Sequence, residues 1–448
     1  MCMKHWLHMP WYTLVLICSA VMVVLAVVLT IWFAYQTWFT DIATASTTLT
    51  TEDAVHGVVA HMAPHPYVLL GESTHGTQEF YEWRARITQE LITEHGFRAV
   101  FVEADWPYVM GVHDYVQGGD MHASAVDALA ATTRWPEWLY DNQPFAEFVE
   151  WLRDYNQAHA AEDVVSVYGI DMQDPARARH ELLTSAAEID TELQQHLADR
   201  LACFAAYDTS LPEYAAAYAA GEADCLSDVQ SAEALVREFV ATHEDLSPYA
   251  GQALLHNVRA LQSAVRQGHV AGDAQEMWNE RSGYMVDTIL RTTEQLHRSP
   301  AAGVVVWAHN THIGDGRAVV RPETAELSVA EILRDDVVPS PVFSLGFVTK
   351  TGSALAAPEL GMLPQEFDVG LPQSGSLAAR LGHTFGESPV YIDLEHQAAR
   401  QAFAEPVSEQ AVGVVYDLTA ARDSYIDVLL PERYSALLYI ATTTTLSL

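Results

Sequence analysis

Lysine is almost missing from this chain. Of its 448 residues only Lys4 and Lys350 are lysines, and Lys plus Arg total 23 against 59 Asp plus Glu. The formal net charge of -36 excludes a partner held by counterion release, because a nucleic-acid backbone would be repelled over most of the surface. The protein is poor in bases more than rich in acids. Cysteine is scarce too: Cys2 and Cys18 lie near the N-terminus, leaving Cys203 and Cys225 in the body. Those two could bridge a loop in an oxidising compartment or remain buried free thiols, and both readings stay open. No C-x-x-C, no paired Cys/His zinc spacing, no H-E-x-x-H and no internal repeat is present. What is abundant is apolar: 50% hydrophobic and 10% aromatic residues exclude global disorder.

Charge of either sign is absent between Lys4 and Asp41, and within that gap Trp11 to Phe33 is almost unbroken hydrocarbon. A helix of that length spans a hydrocarbon core about 30 Å thick. Trp6, Trp11 and Tyr12 at one end and Trp32, Tyr35 and Trp38 at the other form the expected interfacial belts. A cleaved signal is the alternative, but its apolar core is shorter, and the nearest small-x-small site, Ala43-Thr44-Ala45, lies far beyond the run. The expected organisation is a cytoplasmic tail (1–10), a transmembrane anchor (11–35), a Thr-rich tether (36–52) and a catalytic domain (53–448). Lys4 before the run and Asp41, Glu52 and Asp53 after it favour a cytoplasmic N-terminus with the body outside the cytoplasm.

Beyond the tether, short apolar runs each end in polar residues. Tyr67 to Leu70 runs into Gly71-Glu72-Ser73-Thr74-His75-Gly76, Arg98 to Val102 into Glu103, Val164 to Ile170 into Asp171, and Gly303 to Trp307 into Ala308-His309-Asn310-Thr311-His312. Val342 to Phe347, Val390 to Ile392 and Ala436 to Ile440 are further strand candidates. Between Gln78 and His95 the pattern is helical and stops at Gly96. Strands separated by helices predict an α/β fold with a mainly parallel sheet and flanking helices, preceded by the one transmembrane helix. An Ala-, Leu-, Glu- and Gln-rich stretch over 176–299 predicts a large helical insertion, and 123–158 a smaller one.

In a parallel sheet all strands deliver their C-terminal ends to one crevice. Glu72, His75, Glu103, Asp171, His309 and His312 therefore converge. Such a set supports a neutral His acting as base on water with its tautomer fixed by a carboxylate, or a divalent metal that activates the water. His309 and His312, three apart, share one side of a turn or helix. Gly71-x-Ser73 resembles the start of a nucleophile elbow but ends in His75 rather than Gly, so Ser73 reads as a packing or capping residue first. Asp171 could instead cap the segment after it, Arg84 could be an ordinary helix-surface base, and Trp135 and Trp138 read as core or as a substrate platform.

With these residues in view, the sequence resembles the erythromycin esterase family, which includes proteins described as succinoglycan-biosynthesis homologues. The resemblance rests on LLGESTHGTQEF (Leu69 to Phe80), Arg84, GFRAVFVEADW (Gly96 to Trp106), RWPEW (Arg134 to Trp138), YGIDMQD (Tyr168 to Asp174), NERSGYM (Asn279 to Met285), WAHNTHIGD (Trp307 to Asp315) and LGF (Leu345 to Phe347). It implies a hydrolase of an ester or lactone, a macrolide macrolactone among the options, working without metal or other cofactor. By the same resemblance His75 is the general base, Glu72 and Glu103 orient and charge the site, and Arg84, His309 and His312 bind substrate or stabilise the oxyanion. Asp171, Trp135 and Trp138 are the remaining substrate-binding candidates. The anchor departs from resistance-conferring members of the family, which look cytosolic, and this leaves the ester open. A metal-dependent hydrolase on the same residues, or a haem- or ligand-binding protein using His309 or His312, are the alternatives.

Overall fold

The computed structural model describes residues 11–161, 163–296, 302–320, 326–336, 341–416 and 424–448; the expected tail (1–10) lies outside them. The apolar N-terminal run forms one helix, α1 (Trp11–Thr44). Its described side chains from Val15 to Leu29 stand largely bare, about half exposed or more. Among the described residues, no helix is long and apolar enough to cross a membrane.

The tether is a correction. Instead of hanging free, 36–44 continue α1, and the following residues form β1 (Ser46–Thr48) before α2 (Glu52–Met62). Ile42, Ala45 and Leu49 are buried, and Trp38 packs on Phe403 with its Nε1–H donated to the Ala402 carbonyl. These few apolar side chains find a surface to cover. The Thr-rich run between them suits an edge strand, where β-branched residues pack well.

The expected strands then follow in order. With the helices between them, the elements are β2 (Tyr67–Leu70), α3 (Gln78–His95), β3 (Ala99–Asp105), α4 (Trp106–Val116), α5 (Ala125–Leu129), α6 (Gln143–Ala158) and β4 (Ser166–Asp171). Helix α3 ends where expected, at Gly96 with φ of 73°, a left-handed conformation that favours glycine. The large insertion comprises α7 (Pro175–Ile189), α8 (Thr191–Arg200), α9 (Ala202–Ala205), α10 (Leu211–Ala219), α11 (Leu226–Thr242), α12 (Pro248–His269) and α13 (Ala274–Leu296). The chain returns through β5 (Val304–Trp307), α14 (Asn310–Ile313), α15 (Val329–Asp336), β6 (Val342–Ala356) and β7 (Gln365–Asp368). It ends with α16 (Leu377–Phe385), β8 (Val390–Asp393), α17 (Gln397–Ala402), β9 (Val407–Gln410), β10 (Tyr425–Val428), α18 (Leu430–Arg433) and β11 (Ala436–Thr443).

Among the described residues nine strands form the main sheet in the order β1-β8-β11-β6-β2-β5-β3-β4, with β7 paired to β6; β9 and β10 form a separate antiparallel pair. From β11 to β4 all neighbours are parallel, while β8, β1 and β7 pair antiparallel. Every residue of β2 and β5 is buried, because helices cover both sheet faces and leave no side for polar alternation. One core cluster lies on each face, and a third lies inside the helical insertion.

In that third cluster Cys203 and Cys225, 22 apart in sequence, form a disulfide. Closing a loop of this size is worth about 3 kcal/mol in the loop-entropy description. The Cys203→Ala/Cys225→Ala protein should lose up to about that much, measured by urea unfolding followed in the insertion. Equal stability of the two proteins would show the bridge to be energetically idle.

Candidate active site

The strand order places the ends of β2, β5, β3 and β4 side by side, so residues far apart in sequence meet at one crevice. The turn after β2 must pass close to the loop after β5. A Cβ on Gly71 would sit 2.1 Å from Asn310 Oδ1 and 3.1 Å from the Leu345 carbonyl, so only glycine fits there. The result is a cavity of 540 Å³ whose lining includes His75, Glu103, Asp171, His309, His312 and Trp135.

At its floor His75 Nδ1 lies 2.8 Å from Glu72 Oε1. An imidazole beside a carboxylate donates Nδ1–H to it, which fixes the tautomer and leaves Nε2 as the basic nitrogen. Burial pulls the His75 pKa down, but the hydrogen bond and charge of Glu72, with Glu103 adding, outweigh it and raise His75 above the ordinary 6.5. Behind the pair, Arg84 is fully buried, with Nη2 2.9 Å from Glu72 Oε2 as an ion pair whose geometry is not that of an aligned hydrogen bond. Its guanidinium lies 4.2 Å from the Tyr81 ring centre and 5.1 Å from that of Trp307. Arg84 is thus neither a surface base nor a group lining the cavity: it backs Glu72 from inside the core.

Glu103 gathers the second half of the site. Its Oε2 accepts the His309 backbone N–H at 2.8 Å, and its Oε1 lies 3.1 Å from His312 Nε2 and 3.0 Å from Arg281 Nη2. Burial pushes this carboxyl up, yet His312, His75 and Arg281 together hold it well below the usual carboxylate range. The His312 ring stacks 4.6 Å from Trp278 at an interplanar angle of 3°. His309 lies 4.7 Å from His75, ring centre to ring centre. Its Nδ1 accepts the Thr311 N–H at 3.3 Å. Burial and the neighbouring His75 charge depress its pKa well below the ordinary value, so His309 is neutral with its proton on Nε2.

Arg281 on α13 was not singled out from sequence. Its Nε and Nη2 bond Asp171 Oδ1 and Oδ2 at 3.0 and 2.6 Å, a bidentate pair, while Nη2 also reaches Glu103. Among the described residues Nη1 meets His312 Nε2 alone, at 3.4 Å, so at most one of its two hydrogens is taken there. A lone helical Arg carries no spacing signal, and its partners are 110 and 178 residues away. Asp171, expected to touch substrate, is occupied by this arginine. The two tryptophans separate: Trp138 is buried in the core with Tyr140 and Phe145, whereas Trp135 lines the cavity and donates Nε1–H to the Met362 carbonyl at 2.8 Å. Among the described residues no group of three or more His, Cys, Asp or Glu is placed to hold a metal ion.

Solved structures with this architecture include a succinoglycan biosynthesis protein, 17% identical over 92% of this chain and 98% of that one, with a TM-score of 0.74. A protein from Bacillus cereus is 15% identical over 92% and 98%, with a TM-score of 0.76. The erythromycin esterase EreC, carrying a histidine-to-asparagine substitution and in its open conformation, is 14% identical over 89% and 97%, with a TM-score of 0.62. At these identities the likeness establishes the fold. The sequence profile of erythromycin esterase matches residues 92–443, most of the chain and all of the crevice except the β2 turn; the protein belongs to the erythromycin esterase family.

Proposed function

We propose that the protein hydrolyses an ester or lactone with His75 as general base and without a metal. The observation that carries this is the His75–Glu72 contact of 2.8 Å at the wall of the 540 Å³ cavity, with Arg84 fixed behind it. His75 Nε2 takes a proton from water as the water attacks the carbonyl carbon, and Glu72 balances the imidazolium that forms. The developing oxyanion is met by donors already in place: the neutral His309 Nε2–H and the Arg281 Nη1 hydrogen that the His312 contact leaves free. Glu103 holds both donor-bearing segments in register through the His309 backbone and Arg281. His75 then returns its proton to the leaving alkoxide. Macrolactones fit the family and the partly apolar lining, which includes Leu139, Tyr140, Leu360 and Val414.

A panel of simple esters, lactones and macrolides offered to the full chain in detergent, with and without chelator, tests the proposal. Release of the hydroxy acid or free acid, unchanged by chelator, is expected; inactivity on the whole panel would remove it. Because the base must be neutral, activity should rise with pH through a midpoint above 6.5, since Glu72 favours the protonated ring. Glu72→Gln removes that charge, so its remaining activity should show a lower midpoint. An unmoved midpoint would separate the titration from His75.

We further propose that the uncharged apolar run of residues 11–35 anchors the body in a membrane with the N-terminus cytoplasmic; the span is read from that whole run, since over its described residues alone α1 falls short of one. The bare apolar side chains along α1, with no charge among residues 11–40, support this. An enzyme reporter fused after Leu448 that works only outside the cytoplasm is the expected result, and activity only inside would reverse the orientation.

A further inference from the structure

Among the described residues three arginines line the cavity, and two are committed. Arg281 is tied to Asp171 and Glu103, and Arg433 to Glu409 and to the carbonyls of Asn310 and Asp315. Arg134 is different: among the described residues its side chain makes no hydrogen bond, and its one charged neighbour, Asp105 Oδ2, lies at 3.8 Å, beyond hydrogen-bond reach. Its side chain is 33% exposed, so its donors are accessible from the cavity. The next residue, Trp135, is pinned to Met362, which holds this segment at the cavity wall.

Asp105 does not behave as a settled counter-ion. It occupies the N-cap of α4 yet caps nothing, and Pro107 at the second position removes one of the amides it would have met. It is paired across the sheet with another carboxylate, Asp171, and Oδ1 accepts the Gln173 N–H at 2.6 Å while Oδ2 has no hydrogen-bond partner among the described residues. Two like charges directly opposite each other in a sheet are unfavourable.

We infer that Arg134 is a receptor for a carboxylate carried by the ligand, with Asp105 as the weak counter-ion that the incoming group displaces. The inference rests on the hydrolase reading, since ester hydrolysis creates such a carboxylate, and a free acid group already on the substrate would present the same chemistry. A guanidinium with unbonded hydrogens takes a carboxylate through two parallel hydrogen bonds, a geometry Asp105 cannot reach from 3.8 Å. Burial, with Asp171 and Asp174 adding, pushes the Asp105 carboxyl up to about 7 against the pull of Arg134 and of the Gln173 amide. Near neutral pH it is therefore a partial charge competing with a full one. Tyr108 from α4 and Tyr284 and Arg281 from α13 complete the titratable and charged surroundings, with Glu103 on the same strand. Drawing Arg134 away raises Asp105 further, so anion binding should take up protons.

The test is calorimetry on the full chain at pH 7 in two buffers of different ionisation heat, titrating benzoate and its neutral analogue benzyl alcohol. Benzoate should bind at least tenfold more tightly than the alcohol and draw a fraction of a proton from buffer. Arg134→Gln should abolish the preference, and Asp105→Asn should strengthen benzoate binding several-fold by freeing Arg134. Monomethyl succinate binding more tightly than benzoate would assign the site to an acid-bearing substrate, and weaker binding to the acid product. Equal affinity for benzoate and benzyl alcohol, an unchanged preference in Arg134→Gln, or weaker benzoate binding in Asp105→Asn each overturns the inference. Since benzoate and benzyl alcohol carry no bond to hydrolyse, a chain that binds benzoate as described yet cleaves no ester would retire the hydrolase reading alone.

Discussion

Replacing His75 by alanine should lower the turnover of any ester the protein cleaves by about 10²- to 10⁴-fold, the usual worth of a positioned general base. The fold should barely register the change. Glu72 keeps its ion pair with Arg84, so no buried charge is orphaned, and the imidazole sits at a cavity wall rather than inside a packed core. Comparing kcat and urea midpoints for the two proteins checks both halves. A near-normal kcat would eliminate His75 as the base, whereas a collapsed urea midpoint would mean the ring supports structure and would void the kinetic comparison.

Arg84→Met should strike stability rather than chemistry alone. Removing the guanidinium leaves the Glu72 carboxylate, 1% exposed, without its cation, and breaking one partner of a buried pair costs about 3–5 kcal/mol. The double variant Glu72→Gln/Arg84→Met should recover a large part of that loss, because no uncompensated charge remains. Losses that simply add in the double variant would mean that Arg84 stabilises through its packing on Tyr81 and Trp307 instead. Unfolding of the wild type, the two single variants and the double variant at one pH decides between these.

The sheet was legible because its strands are buried on both faces and so read as continuous apolar runs. All seven expected strands form, and the insertion expected over 176–299 is found as helices from Pro175 to Leu296. Strands that escaped notice, β1, β7, β9 and β10, are short and lie outside the parallel core, where polar and Thr-rich sequence is tolerated. Convergence of Glu72, His75, Glu103, His309 and His312 followed from strand polarity alone. Depth within the protein did not: nothing in the sequence separates an arginine on a helix surface from Arg84 behind Glu72, or Trp138 in the core from Trp135 at the cavity. Arg281 and Asp105 lie within NERSGYM and GFRAVFVEADW, yet neither motif by itself assigns them a role. A helical arginine and an acid at a strand end acquire meaning only from partners that tertiary structure supplies.

The arginine that completes the site is supplied by the last helix of the insertion, and this bears on how the chain is made. Glu72 meets its guanidinium almost at once, twelve residues downstream at Arg84. Asp171 must wait for Arg281 through another 110 residues, and Glu103 through 178. At ordinary rates of synthesis the shorter interval alone lasts on the order of 5–20 s. Throughout it a nascent sheet edge would hold Glu103, Asp105 and Asp171 with no arginine from α13 to neutralise them, which favours leaving that edge hydrated and undocked. Deleting the insertion would thus yield no pared-down hydrolase; the shortened chain would be left with the charge repulsion that full-length molecules meet only in passing.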